Sequence, residues 1–312
     1  MELEVKHRPP HIKQLSKPLK NMDIYHLYSL MTQPQNFIRE VTEMKYIVDH
    51  DYHIHSQLSS CSRDPEQTPE RILRYAKDNG LTKLVLTDHY WDGAVEGASN
   101  WYKPQDFDHI AQSKPLPKTE GIEFLFGCES DMKQDTVLGL PKERFDDFAF
   151  IIIPTTHLHM HGFTIATEDV ADINAHARLW VERMDALLSM DLPFRKMGIA
   201  HLACSLLAKG VEGDFENIDK ARDAVLDLIP DSEYERVFKK AAEVGVGIEL
   251  NYYDIRKSTE STLRPFRIAK EQGCKFYLGS DAHHPQDLDP AINGFKRAVE
   301  LLDLTEDDKF RF

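Results

Sequence analysis

From Lys45 onward, short apolar runs alternate with longer amphipathic stretches. The runs are Tyr46-Ile47-Val48, Leu84-Val85-Leu86, Glu123-Phe124-Leu125-Phe126, Phe148 to Ile153, Met197-Gly198-Ile199-Ala200, Val246-Gly247-Ile248-Glu249-Leu250 and Lys275-Phe276-Tyr277-Leu278. Runs this short and this apolar predict strands buried on both faces, as in a parallel sheet. The stretches between them carry helix signals. Thr68 is placed to cap a helix with Pro69 at its first position, Ile72, Leu73 and Ala76 give it an apolar face, and Asn79-Gly80 ends it. Further helices are predicted over Asp172 to Met190, Ser232 to Val244, Ser261 to Gln272 and Ala291 to Leu302. Residues 91–120, with Trp91, Trp101, Tyr102 and several prolines, read as an irregular insertion, and the residues after Ala200 as a polar loop.

Strand and helix in regular alternation predict an α/β barrel. The open doubly wound alternative would place a glycine-rich loop at its switch point, and the chain has no Gly-x-Gly-x-x-Gly. Residues 1–45 stand apart. Their first part is basic and proline-bearing (Lys6, Arg8, Pro9, Pro10, Lys13, Lys17, Pro18, Lys20), and a polar, helix-like piece follows through Phe37, Ile38, Val41 and Met44. We expect an N-terminal extension over 1–45 and a barrel domain over 46–312.

Bulk properties narrow the function. A chain of 312 residues with 41% hydrophobic residues can bury one large core. The net charge of −14 opposes broad contact with nucleic-acid phosphates. No apolar run approaches the ~20 residues of a membrane span, and the N-terminus has no apolar segment of the secretory kind. Cys61, Cys128, Cys204 and Cys274 lie far apart and outline no disulfide framework, so a reducing cytoplasm is expected. Nothing in the chain fixes an oligomeric state.

The candidate chemistry sits where the apolar runs end. There the chain reads Asp51-Tyr52-His53-Ile54-His55, Thr87-Asp88-His89, Gly127-Cys128-Glu129, Thr155-Thr156-His157, Ile199-Ala200-His201 and Gly279-Ser280-Asp281-Ala282-His283. Side chains at successive strand ends of one barrel converge on a single mouth. His53 and His55, two apart on a strand, point the same way, and Asp281 with His283 repeats the spacing. Glu129 is placed to bridge two ions, and His89, His157 and His201 add imidazoles. This set exceeds the needs of one tetrahedral ion and predicts two or three divalent transition-metal ions. Nitrogen-rich ligation with some oxygen suits zinc, iron or manganese rather than calcium. Asp88 is expected to orient His89 or another ligand. His159, His161 and His284 adjoin the ligands and are expected as hydrogen-bonded neighbours, with substrate contact as the alternative. His7, His11, His26, His50, His109 and His176 are placed outside the site.

These residues together resemble the PHP family, the polymerase and histidinol phosphatase metal-dependent phosphoesterases. The resemblance runs from about His50 to the C-terminus. The family's opening motif corresponds to His53-Ile54-His55, its second-strand motif to Thr87-Asp88-His89 and its bridging glutamate to Glu129. Its mid-chain histidines correspond to His157 and His201, and its closing motif to Asp281-Ala282-His283. It implies a distorted seven-stranded (β/α)7 TIM-like barrel with a trinuclear metal centre. One position departs from the family. Where many members carry Asp or His, Ser59-Ser60-Cys61-Ser62 places Cys61. Cys61 as a thiolate, Asp64 as a substitute, and a plain cysteine with one ligand missing stand as alternatives.

Within the family, Glu249-Leu250-Asn251 followed by Ile255-Arg256-Lys257, and Asp281-Ala282-His283-His284-Pro285, resemble the histidinol-phosphate phosphatases. The N-terminal extension and the insertion with Trp91 and Trp101 do not. Arg256 is the candidate substrate-binding residue, since its planar fork suits phosphate. The expected activity is hydrolysis of a small-molecule phosphomonoester, with histidinol phosphate the nearest candidate, by metal-hydroxide attack. Glu129, Asp281 and His283 form the expected catalytic set. The alternatives are a phosphodiesterase or nuclease of the same family and a non-catalytic metal-binding interaction module. A metal-dependent amidohydrolase is disfavoured, because the bridging candidate is a glutamate rather than a lysine.

Overall fold

Every expected apolar run except the first carries a strand in the computed structural model, which describes residues 44–312 apart from Lys257. His7, His11, His26 and nearly all of the expected extension lie outside the described residues. The strands are β1 His50–Ile54, β2 Lys83–Leu86, β3 Glu123–Phe126, β4 Cys128–Glu129, β5 Ile151–Pro154, β6 Met197–Ala200, β7 Gly247–Asn251 and β8 Lys275–Gly279. The helices are α1 Pro69–Asn79, α2 Phe107–Ile110, α3 Ile173–Leu188, α4 Ile218–Leu228, α5 Asp231–Val244, α6 Tyr252–Ile255, α7 Glu260–Glu271 and α8 Pro285–Leu301. Short 3-10 turns fill several of the loops.

All strand pairs are parallel. They form a three-stranded sheet, β1-β2-β3, and a five-stranded sheet, β4-β5-β6-β7-β8. The backbone links between the two sheets fall on the residues singled out from sequence. Ile54 bridges to Ala282, with Asp281 N donating to His53 O at 2.7 Å and His55 N to Ala282 O at 3.1 Å. His89 bridges to Glu129. The register of β1 shifts between Asp51 and Ile54, just where His53 sits.

The local signals act as their chemistry dictates. Thr68 caps α1 by accepting from Arg71 N, Pro69 opens the helix, and Gly80 closes it at φ +71°. Two expectations need correction. Tyr46-Ile47-Val48 is not a strand. Lys45 bridges to Thr305, and Tyr46 N donates to Leu304 O, so this segment pairs with the C-terminal turn. Pairing with β2 begins only at His50, and His53 therefore lies within the first strand rather than beyond it. The supposed polar loop after Ala200 contains α4, capped by Asn217 and burying Ala221, Val225 and Leu226. That cap and spacing were visible in the sequence. The insertion is irregular as expected, apart from the short α2 and a 3-10 turn over Ala111–Ser113.

Beneath the candidate ligands, Tyr52, Phe150, Tyr277 and Phe310 form a small separate core, with the His50 ring 4.2 Å from that of Tyr52. Gly198 makes room for it, because a Cβ there would lie 2.4 Å from the Tyr277 ring.

Candidate metal centre

Glu129 is the centre of the arrangement. It is fully buried, and ring nitrogens approach it from several strand ends. Its Oε2 lies 3.3 Å from His53 Nε2, 3.2 Å from His55 Nε2 and 3.1 Å from His89 Nδ1. Its Oε1 lies 3.3 Å from His201 Nε2 and 4.0 Å from His157 Nε2. Asp281 enters from the other side, its Oδ1 3.2 Å from His55 Nε2 and its Oδ2 3.8 Å from His201 Nε2. His283 stacks on His55 with ring centroids 4.3 Å apart. All the expected ligands therefore meet at one place.

A surrounding set of acceptors fixes the protons. Glu249 faces His53 Nδ1 at 2.6 Å and Asp131 faces His157 Nδ1 at 3.2 Å. Carboxylates accept, so both imidazoles carry the proton on Nδ1 and turn a bare Nε2 inward. His283 Nδ1 donates to the Asp281 carbonyl at 2.7 Å, with the same result. Ser59 donates to Asp88 at 2.7 Å, which leaves its oxygen free to accept from His55 Nδ1 at 3.0 Å. Asp88 thus acts on His55 through Ser59 rather than on the His89 ring. At His201 the neighbour is the Asn251 amide nitrogen, 3.3 Å from Nδ1, so no acceptor there turns the proton away from the centre.

Backbone geometry is specialised at two of these residues. His201 and Asp281 take left-handed conformations, φ 62° and 52°. Such backbone costs on the order of 1–3 kcal/mol per residue unless neighbours over-determine it. Here His201 N donates to Glu249 Oε2 and Thr156 Oγ1 to His201 O. Gly279 has no room for a side chain, since a Cβ would fall 2.0 Å from Glu249 Oε1.

The residues fit divalent metal ions. Neither oxygen of Glu129 makes a hydrogen bond, and His89 Nδ1 makes none either, although all are buried. His53 Nε2 and His55 Nε2 face each other at 3.1 Å. Two bare nitrogens that close repel unless a cation lies among them, and an unpaired buried carboxylate is costly. Among the described residues, four groups bring ligand atoms within 4.8 Å of one another: His55, His89 and His283; His53, His201 and Glu249; His53, His55 and Asp281; and Glu129, His157 and His201. Burial opposes ionisation of Glu129, but the imidazoles of His89 and His53 outweigh it and hold its carboxyl well below the usual range. Burial and the neighbouring His55 push the His283 imidazole down to about 4, so it is neutral, as a ligand must be.

Sequence reasoning missed three supports. Glu249 was seen only as part of a family motif, and Asp131 not at all. Arg183 of α3 is buried and donates to the carbonyls of Thr155 and Met132 at 2.7 Å and of Thr164 at 3.1 Å. It clamps the loops that carry His157 and Asp131. A charged residue on a buried helix face was the only signal available for it.

A cavity of about 820 Å³ opens over the centre. Arg256 lies on its wall, its guanidinium 4.7 Å above the Tyr253 ring. Cys61 is an exposed thiol on the same wall and belongs to none of the four converging groups. Asp64 also belongs to none and lies 3.4 Å from His284 Nδ1. His159 and His161 line the cavity, whereas His109 is engaged elsewhere, with Leu58 O at 2.7 Å.

Parallel strands with a cluster of histidines and carboxylates at their ends define a class of metal-binding α/β proteins. The PHP domain model matches residues 51–252, and the chain belongs to the PHP family. Among solved structures, it is similar to a histidinol phosphate phosphatase from Lactococcus lactis subsp. lactis Il1403, complexed with zinc, L-histidinol and phosphate. That similarity has a TM-score of 0.55 at 16% identity and covers 85% of this chain and 99% of the other. An archaeal ribonuclease P structure with mature tRNA matches at TM-score 0.36 and 13% identity over 81% of this chain and 91% of that one, and carries no argument. Comparison with curated proteins returns no match.

Proposed function

We propose that this protein is a metal-dependent phosphoesterase that hydrolyses a small-molecule phosphomonoester. The observation that carries the reading is the convergence of His53, His55, His89, Glu129, His157, His201, Asp281 and His283 beneath one cavity. In this reading the two sheets belong to one distorted (β/α)7 barrel, with β3 and β4 a single strand interrupted at Gly127, and residues 1–45 are an extension of it. Two or three zinc, iron or manganese ions would be held by these residues. When bound, such ions supply positive charge for phosphoryl oxygens and lower the pKa of water.

The chain's own residues do the rest. Glu249, Asp131 and Ser59 orient the imidazoles so that their lone pairs face inward. Glu129 and Asp281 balance the charge of the ions, and His283 stands on the cavity wall, where the leaving oxygen emerges. Arg256 grips non-bridging phosphate oxygens. No salt bridge engages it among the described residues, so its fork is available. A third ion would be held by His55, His89 and His283, without Cys61 or Asp64. Histidinol phosphate is the first substrate to try, because the motif around Glu249 and the fold likeness to a histidinol phosphate phosphatase both point to it. The four free cysteines agree with a cytoplasmic setting, and no helix among the described residues is long and apolar enough to cross a membrane.

The test is hydrolysis of p-nitrophenyl phosphate and bis-p-nitrophenyl phosphate by protein stripped with chelator and then reloaded with zinc, manganese or iron. Metal-restored activity on the monoester supports the reading. Preference for the diester would move the protein to the nuclease-like branch. Undiminished activity in verified metal-free protein would exclude the mechanism.

A further inference from the structure

The mouth of the cavity is charged at the centre and aromatic at the side. The insertion at 91–120 supplies the aromatic side. Trp101 lines the cavity and stands edge-on to the candidate ligand His89, with ring centroids 4.8 Å apart. It is only partly buried, and the residues behind it are packed solid. Trp91 and Tyr102 are almost fully buried and form a cluster with Phe163, against which Trp101 and Met160 pack. Trp91 is fixed by its Nε1–H, which donates to Val95 O at 2.9 Å. Gln105 is buried and ties the insertion to the loop after β1: its amide donates to Trp101 O at 3.0 Å, and its oxygen accepts from Ser60 N at 2.8 Å. Trp101 is therefore a braced surface, not a loose loop residue. The cavity, at about 820 Å³, is far larger than a phosphate group needs and falls in the range that encloses a ring-bearing ligand.

We propose that Trp101, backed by this cluster, is a specificity-determining residue that selects phosphomonoesters whose leaving alcohol carries a flat aromatic ring. An ester with its phosphoryl group at the centre directs its alcohol along the cavity wall. An aromatic group there gains apolar burial and ring contact with Trp101, while an aliphatic alcohol gains little. The proposal rests on the phosphoesterase reading for its reaction but not for its binding.

The experiment has two arms, run on the metal-loaded full chain. The first measures kcat/KM for 2-phenylethyl phosphate and propyl phosphate, whose leaving alcohols are similarly basic. The second measures binding of 2-phenylethylphosphonate and propylphosphonate, which cannot be hydrolysed, by calorimetry. The wild type should favour the phenyl compound by about tenfold in both arms. Trp101→Ala should erase most of that preference, lowering the phenyl compounds far more than the propyl ones, and Trp101→Phe should keep it. Equal losses on both compounds in Trp101→Ala, or no phenyl preference in the wild type, would overturn the proposal. A phenyl preference in binding with no hydrolysis of either ester would sustain it and sink the phosphatase reading instead.

Discussion

The two ends of the same strands are built on opposite principles. At one end Tyr52, Phe150, Tyr277 and Phe310 make an aromatic floor, with centroids such as Phe150–Tyr277 at 5.2 Å. At the other, within one residue of Tyr52 along β1, four imidazoles crowd to 3.1–3.3 Å around Glu129. The floor is held by apolar packing, with the Tyr277 hydroxyl its one buried polar atom left without a hydrogen-bond partner. At the mouth both oxygens of the Glu129 carboxylate and His89 Nδ1 are left so, a far costlier arrangement because a charge is involved. Stability is stored at the floor, and the mouth is held by strain, outer carboxylates and the ions it is shaped to take. Mutations at the two ends should therefore fail in different ways.

The largest effect is expected at the mouth. Glu129→Gln should lower metal content and kcat/KM together, the latter by about a hundredfold or more, while His109→Ala leaves both intact. Elemental analysis beside steady-state kinetics decides it, and full metal loading with full turnover in Glu129→Gln would sink the bridging role. One layer out, Glu249→Gln removes the carboxylate charge and leaves one accepting oxygen where two now serve His53 Nδ1 and His201 N. We expect metal affinity to fall by about 10- to 100-fold with the far-ultraviolet dichroism unchanged; a fold-disrupting variant would instead lose both.

The floor should show the reverse pattern. Gly198→Ala forces a methyl group against the Tyr277 ring and should cost about 1–3 kcal/mol of stability. Metal content per folded molecule should be unaltered. A melting temperature equal to wild type, or selective metal loss, would erase the distinction between the two ends.

A smaller, pH-dependent effect is expected beneath His201. Asp254 is buried and accepts from Ala203 N at 3.1 Å. Burial pushes its carboxyl up to about 7, against the opposing pull of the His201 imidazole. A carboxyl whose folded pKa is raised binds more protons in the folded state than in the unfolded one. Its contribution is present below the unfolded value of 3.8 and is lost as pH rises through about 7. Asp254→Asn should therefore flatten the fall in stability between about pH 4 and pH 7, which denaturant titrations at both ends of that range would reveal. The smallest effect belongs to Cys61→Ala. The thiol lies outside the converging groups, so metal count should stay constant and activity should change by no more than about twofold. Loss of one metal per chain would restore Cys61 as a ligand.

Much of this was legible in the chain. His53 and His55 announce themselves by spacing, and Glu129, His157 and His201 by standing where apolar runs end. The helix over Pro69–Asn79 follows from Thr68, Pro69 and Gly80. Such features are local, because a cap, a period or a strand end is written in neighbouring residues. The sequence by itself therefore determined the alternation of strand and helix and the membership of the polar cluster.

The tertiary structure decided the rest. It paired 45–46 with the C-terminal turn instead of β2, gave Glu249 to His53, and sent Arg183 under two loops. It also left Cys61 outside the converging groups and set Trp101 beside His89. The pairings join residues from a dozen to some hundreds of positions apart, and no local period encodes such a partner. A buried carboxylate or guanidinium must find its counterpart wherever the fold brings one, because leaving it unpaired in the interior costs more than the fold can spare.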